Sequence, residues 1–194
     1  KGSPTLEKEH QDLSEALKTA KHQAEKDKIQ KELVKVESEI ARNTEMQAKF
    51  VAKTEAAKEL PTFLKQKMTD YSDFVKQSLE LRKSIKEVKE TVKSATKEEI
   101  AITKELKKAK KASDPEATTA LKEKEFEAKV KVLKQKFLQE KLEEARVTHI
   151  KFLRTWIGKN KRIAPAAVLA AAEASLHAEE VAHEKSTEPA GPAS

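Results

Sequence analysis

The sequence predicts an all-α fold, an elongated antiparallel bundle of three long helices plus a shorter Ala-rich fourth helix, with coiled-coil-like packing. Three observations carry this expectation. Only 3 Gly and 6 Pro interrupt 194 residues, so the chain has few places at which a helix must stop. Apolar side chains recur every three to four residues, the spacing that lines one face of a helix. Hydrophobic residues make up 37% of the chain, aromatics 4% and charged residues 38%, which suits one narrow apolar stripe per helix rather than a thick globular core.

The first rod shows its stripe as Leu13, Leu17, Ala20 and Ala24, shifts by one position, and resumes at Ile29, Leu33, Val36 and Ile40. Such a shift reads as a stutter within a continuous helix. The end of this rod has two readings. Pro61 marks a tight hairpin or a kink; alternatively the chain turns at Arg42-Asn43-Thr44, where Thr44 and Gln47 have capping-box spacing. The second rod carries the most regular seam, Leu81, Ile85, Val88, Val92, Ala95, Ile102, Leu106 and Ala109, broken at Glu99. It ends at Ser113-Asp114-Pro115-Glu116, where Asp114 caps a helix that has Pro115 as its first residue, or Ser113 and Glu116 form a capping box.

The third rod runs through Phe126, Val130, Leu133 and Phe137, shifts, and continues through Leu142, Ala145, His149, Phe152 and Trp156. Rods of about 45 to 55 residues are roughly 70 to 80 Å long at about 1.5 Å per residue, and short connections make neighbours antiparallel. After Gly158-Lys159-Asn160 the text becomes Ala-rich, and Pro165 is placed to open a shorter fourth helix whose small side chains permit close packing. Residues 1–184 are therefore read as a single elongated helical bundle and 185–194 as a flexible C-terminal tail or tether.

The formal charge of +7 is uneven. Residues 1–59 are neutral overall, 60–113 carry +6, 114–163 carry +5 and 164–194 carry −4. Two cationic clusters stand out, Lys104, Lys107, Lys108, Lys110 and Lys111 before the turn at Pro115, and Lys159, Lys161 and Arg162 after the third rod. Together they are the candidate patch for an anionic surface. The plainer reading of the first is a solvated helix C-terminus, where cations complement the macrodipole. Lys outnumbers Arg by 35 to 5 and no aromatic interleaves the run, so nucleic-acid recognition by Arg forks and stacking is not expected.

No chemistry announces itself. There is no P-loop, nucleophile elbow, dinucleotide glycine pattern or HExxH, so the chain is read as non-enzymatic, with no catalytic residue, no cofactor and no metal. His177 and His183 flank Glu179, Glu180 and Glu184, but a spacing of six puts the two rings on opposite helix faces. His149 falls on the apolar seam and is read as a packed histidine, His10 and His22 as surface residues. Phe63, Leu64, Met68, Tyr71, Phe74 and Val75, with Phe152, Leu153, Trp156 and Ile157, read as a thicker core at one end of the bundle; a ligand-binding head is the sharper alternative. Absence of Cys excludes disulfide scaffolds and thiolate metal sites without fixing a compartment. No run reaches the roughly 20 apolar residues of a membrane span, and no Asn-x-Ser/Thr is present.

Long helices without Cys, 28 Glu and 27 Ala, an Ala-rich last helix and the closing Glu188-Pro189-Ala190-Gly191-Pro192-Ala193-Ser194 together resemble the glutamic acid/alanine-rich surface coat proteins of African trypanosomes. The resemblance is one of composition and architecture, and no functional residue is carried over. It implies a surface antigen held on the outer leaflet of the plasma membrane by a C-terminal glycolipid (GPI) anchor, with Ala190, Gly191, Ala193 and Ser194 just before a removed signal. Its partners are then neighbouring copies of the coat and host or vector surface molecules. Lys in excess over Glu departs from that family. The alternative is a cytoplasmic or organellar protein, either a basic helical scaffold of the BAR type on anionic membrane or an organellar assembly subunit. A lipoprotein-like bundle ranks below these, because its apolar faces would have to be wider.

Overall fold

A computed structural model describes residues 3–188, with the side chains of Ser3 and Pro4 left undescribed. Its elements are all helical: α1 (Ser3–Thr19), α2 (Gln23–Glu59), a short 3₁₀ turn (Thr62–Lys65), α3 (Tyr71–Lys111), α4 (Pro115–Asn160) and α5 (Ala166–Thr187). Among the described residues there is no strand. The chain divides into two compact units, one up to Ala52 and one from Lys53 onward.

In the first unit the expected continuous rod is broken: α1 ends at Thr19 and α2 begins at Gln23. The residues that were to carry the seam across the break are small, Ala20 and Ala24, and between Lys18 and Lys28 there is no large apolar side chain. Nothing in that stretch rewards continuing the stripe. The Thr19 hydroxyl also donates back to the carbonyls of Ala16 and Glu15 at 3.2 and 3.4 Å, a local bond that competes with helix continuation. The chain then returns, so that His10 Nε2 meets Glu37 Oε1 at 3.0 Å. Leu33 and Val36 are buried, as the stripe predicts. The turn expected as one option at Arg42-Asn43-Thr44 does not form, because α2 runs straight through it and Thr44 donates to Ile40 O at 2.9 Å.

The second unit opens on the end of α2. Pro61 stops that helix, since the residue before a proline is driven out of the helical region, but it makes neither a hairpin nor a kink. Pro61 is extended (φ −59, ψ 138), a single 3₁₀ turn follows, and α3 starts ten residues later. Its start is a capping box: Asp70 accepts from Asp73 N at 3.1 Å, and Asp73 accepts from Asp70 N at 3.2 Å. Thr69 adds its backbone N–H and its hydroxyl to Asp73 Oδ2, both at 3.0 Å. These bonds, the Thr69 N–H first, hold the Asp73 carboxyl below its ordinary pKa. Reciprocal donors of this kind satisfy the otherwise orphaned first turn.

The turn between α3 and α4 forms where the sequence places it, in three residues. Ser113 N donates to Lys110 O and Asp114 N to Ala109 O, at 3.2 Å each, the pair of bonds of a Schellman motif. Ser113 takes the left-handed position (φ 54) that glycine usually fills. Asp114 closes this motif and also caps α4, accepting from Ala117 N at 3.1 Å with Pro115 at the first helical position.

α3 and α4 pack against each other. Thr103 donates to Glu125 at 3.1 Å, Lys131 pairs with Glu98 at 3.0 Å, Lys89 with Glu143 at 3.7 Å, and Gln77 meets His149 at 3.3 Å. The predicted α3 seam lies inward: Leu81, Ile85, Ala95, Leu106 and Ala109 are buried and Val88, Val92 and Ile102 half-buried. Leu81, Ile85 and Leu142 form the central cluster, covered by Phe63, Leu64, Val88 and Ala145. Burying each such leucine contributes about 1.5 to 3 kcal/mol. The aromatic stretch gathers here as expected, with Trp156 5.8 Å from Tyr71 and 6.4 Å from Phe74 between ring centres.

α4 departs from its predicted stripe. Beside Val130, Leu142 and His149 it buries Val132, Leu138, Arg146, Ile150 and Leu153, while Phe152, expected inside, is 49% exposed. The reason is that α4 lies against both α3 and α5 and so has two inward faces, Leu153 taking the buried position that Phe152 was expected to fill. α5 begins after Pro165 and runs to Thr187, so it includes the first residues of the stretch expected as a tail. Residues 189–194, with the expected anchor-signal residues Ala190, Gly191, Ala193 and Ser194, lie outside the described residues. Among the described residues no helix is long and apolar enough to cross a membrane.

Candidate functional site

The eight candidate anion-surface residues are all exposed, but they form two clusters. Lys104, Lys107, Lys108, Lys110 and Lys111 occupy the end of α3; Lys159, Lys161 and Arg162 follow at the far end of α4. Nearly the whole 46-residue length of α4 separates them, roughly 65 to 70 Å at about 1.5 Å per residue. Among the described residues none of the eight makes an ion pair. The structure therefore presents two separate cationic ends rather than one patch.

The histidines and glutamates of α5 do not converge either. His177 is exposed, Glu180 turns to Arg154, which donates through Nη2 and Nε at 2.8 and 3.1 Å, and Glu179 faces the other way. Among the described residues no group of three or more His, Asp or Glu is placed to hold a metal ion.

Glu179 instead sits in a buried polar site. It is 0% exposed in an otherwise Ala-rich helix. The Ser78 hydroxyl of α3 donates to its Oε1 at 2.7 Å, and Arg82 Nε of α3 lies 3.1 Å from the same oxygen. Arg146 of α4, 3% exposed, brings Nε to 3.2 Å from Oε2. The two arginine contacts are at ion-pair distance but off hydrogen-bond alignment, since neither Nε nor Glu179 Oε2 has an aligned partner. Arg146 reaches on through Nη1 to Glu143 Oε2 at 3.5 Å and to Ser186 Oγ at 3.3 Å. Lys89 closes the chain of contacts, 2.6 Å from Ser186 Oγ and 3.7 Å from Glu143 Oε1. One carboxylate of α5 thus joins three helices.

Energetically this seat replaces apolar packing. The buried residues of α5 are Ala172 and Glu179 alone, and one alanine offers little hydrophobic stabilisation. A buried carboxylate without partners costs several kcal/mol in desolvation. Two guanidinium groups and a hydroxyl around Glu179 offset that cost only when α5 sits in this register.

A second feature lies near the start of α3. Leu64, Gln66, Lys67, Met68, Gln77, Ala145, Thr148, His149 and Phe152 line a cleft of about 410 Å³. His149 is completely buried, and burial lowers its pKa to about 4, so the ring is neutral at pH 7. Gln77 donates through Nε2 to Phe63 O at 3.2 Å, which leaves its Oε1 to accept from His149 Nδ1–H at 3.3 Å. This arrangement selects the Nδ1–H tautomer and makes Nε2 an acceptor. That atom has no partner. The histidine is packed, as its place on the seam predicts, and Phe74 lies 6.1 Å from it between ring centres.

Sequence reasoning missed the seat of Glu179. The sequence places Glu179 within a weak His/Glu cluster, and no spacing rule links it to Arg82 and Arg146. A usable signal was present in the basic residues themselves. In a chain with 35 Lys and 5 Arg, each Arg stands where Lys was not used, and planar forks suit buried carboxylates better than ammonium groups. Comparison with known proteins finds no matching family model, no matching curated protein and no matching solved structure.

Proposed function

We propose that the chain is a non-enzymatic structural protein of a cell surface, an antiparallel bundle of long helices with a fourth, Ala-rich helix packed against it. In this reading copies stand side by side, shield the membrane and meet host or vector molecules with their exposed ends. The residues after α5 form the tether to a lipid anchor. The observation that carries the reading is how the interior polar groups are used. Ser78, Arg82, Arg146 and Glu179 are directed at one another to fix α5, an arrangement suited to holding helices in place. The solvent faces of α3 and α4 carry both Lys and Glu, which favours solubility.

The test is antibody labelling of intact against permeabilised cells, before and after a phospholipase that cleaves glycolipid anchors. Surface signal lost on treatment is the expected result. Small-angle scattering of the isolated chain should give a large axial ratio; a globular profile overturns the reading. A second reading is favoured by the unpaired cations at the two ends of α4: a scaffold that rests on anionic membrane. Labelling seen only after permeabilisation moves the assignment to that scaffold.

A further inference from the structure

The α5 seat is short of negative charge at one point. Lys89 Nζ and Arg146 Nη1 both converge on the neutral hydroxyl of Ser186, at 2.6 and 3.3 Å. Counted formally, Arg82, Lys89 and Arg146 face Glu143 and Glu179, which leaves one uncompensated positive charge. One turn before Ser186, on the same helix face, His183 Nδ1 is buried without a partner. Two cations on one hydroxyl, with an orphaned imidazole nitrogen one helical turn away, are what a tetrahedral dianion would complete.

We propose that Ser186 is a phosphorylation site whose phosphoryl group is received by Lys89, Arg146 and His183, clamping the end of α5 onto α3 and α4. The donor is a nucleoside triphosphate bound to a protein kinase. Ser186 Oγ bonds to the γ-phosphorus, the bond from that phosphorus to the bridging oxygen of the leaving nucleoside diphosphate breaks, and the hydroxyl proton leaves to the kinase's base. The ester adds about −1.5 to −2 of charge and three strong acceptor oxygens. Glu143 and the C-terminal end of the α5 dipole oppose it, and the two cations already at hydrogen-bond distance outweigh them. Access needs only the last turn of α5 to open, since Ser186 is half-buried and Thr187 ends the helix; such terminal fraying has a low free energy. The inference rests on the α5 seat and requires the chain to meet the kinase where nucleoside triphosphate is present, in the secretory lumen on the surface reading or in the cytoplasm on the scaffold reading.

Two measurements test it. The full chain isolated from the cells that make it, digested and sequenced by mass spectrometry, should carry phosphate on Ser186; phosphate confined to other residues, or none, overturns the assignment. The full chain with phosphoserine installed at 186 by codon suppression should exchange the amide hydrogens of residues 180–188 about tenfold more slowly than the unmodified chain, the scale of a charge-assisted pair. Lys89→Ala should abolish most of that slowing. Exchange that is unchanged or faster with phosphoserine, or slowing that Lys89→Ala leaves intact, overturns the clamp.

Discussion

Replacing Glu179 with Gln keeps the shape of the side chain and an acceptor for Ser78 but removes the charge that faces two arginines. Arg82 is 38% exposed and can turn to water, whereas Arg146 is 3% exposed and cannot. Removing one partner of a buried pair costs about 3 to 5 kcal/mol because the other charge stays buried. Arg146 keeps Glu143 at 3.5 Å and Ser186 at 3.3 Å, so the cost belongs at the lower end, about 3 kcal/mol, on the order of a hundredfold in the folding constant. Arg146→Met should cost less, about 2 kcal/mol, because Glu179 retains Arg82 at 3.1 Å and Ser78 at 2.7 Å. The pair Glu179→Met with Arg146→Met should be less destabilised than Glu179→Gln, since apolar replacement of both partners removes the uncompensated charge. Urea unfolding followed through Trp156, which reports on the second unit beside Tyr71 and Phe74, gives each value by linear extrapolation. A Glu179→Gln cost under about 1 kcal/mol would refute the argument, because buried charges cannot be left that cheaply. A double variant as unstable as Glu179→Gln would refute it equally.

Three further changes probe other parts of the fold. His149 is neutral when folded, its pKa lowered from 6.5 to about 4 by burial, so the unfolded chain binds the extra proton. Its contribution is fully present above about pH 6.5 and is lost as pH falls toward 4, about 3 kcal/mol across the window; the stability difference between the wild type and His149→Gln, measured by urea titration at each pH, should shrink by that amount. Ser113→Gly relieves the left-handed backbone at φ 54 and should raise stability by about 0.5 kcal/mol after the added freedom of the unfolded chain is subtracted, read as a higher urea midpoint at constant slope. Leu142→Ala empties the centre of the Leu81, Ile85 and Leu142 cluster, where Leu142 is 1% exposed, and should cost about 3 kcal/mol in the same assay.

The parts of this fold that were legible in the sequence are those set by local chemistry. The Leu81 to Ala109 seam reads directly because α3 buries one face, so a single period describes it. The α3–α4 turn reads because Asp114 and Pro115 are helix-start residues with a local mechanism. Asp70 and Asp73 carry the same spacing signal, and the stronger breaker Pro61 nearby masks it. The break at Ala20 was not legible, since no breaker residue marks it; it follows from the absence of apolar side chains over the next turns and from the fold-back that brings His10 to Glu37. α4 was legible only in part, because a helix with neighbours on two sides buries residues at positions that no single stripe predicts.

The seat of Glu179 shows a different limit. Its members are at positions 78, 82, 146 and 179, and only the tertiary packing of α3, α4 and α5 brings them together. An Ala-rich helix offers nearly the same small surface at each turn, so apolar contact alone would hold α5 about as well one turn up or down. A carboxylate that must meet two guanidinium groups removes that degeneracy, because a shift of one turn moves it by about 5.4 Å, takes it away from both arginines and leaves buried Arg146 with Glu143 alone. Of the five arginines, Arg82 and Arg146 meet Glu179 and Arg154 meets Glu180, so three of them serve the docking of one helix. The ionic seat therefore fixes the register of α5 more than it adds to overall stability, and the scarce arginines of a lysine-rich chain stand where a rigid, always-charged fork is needed to fix it.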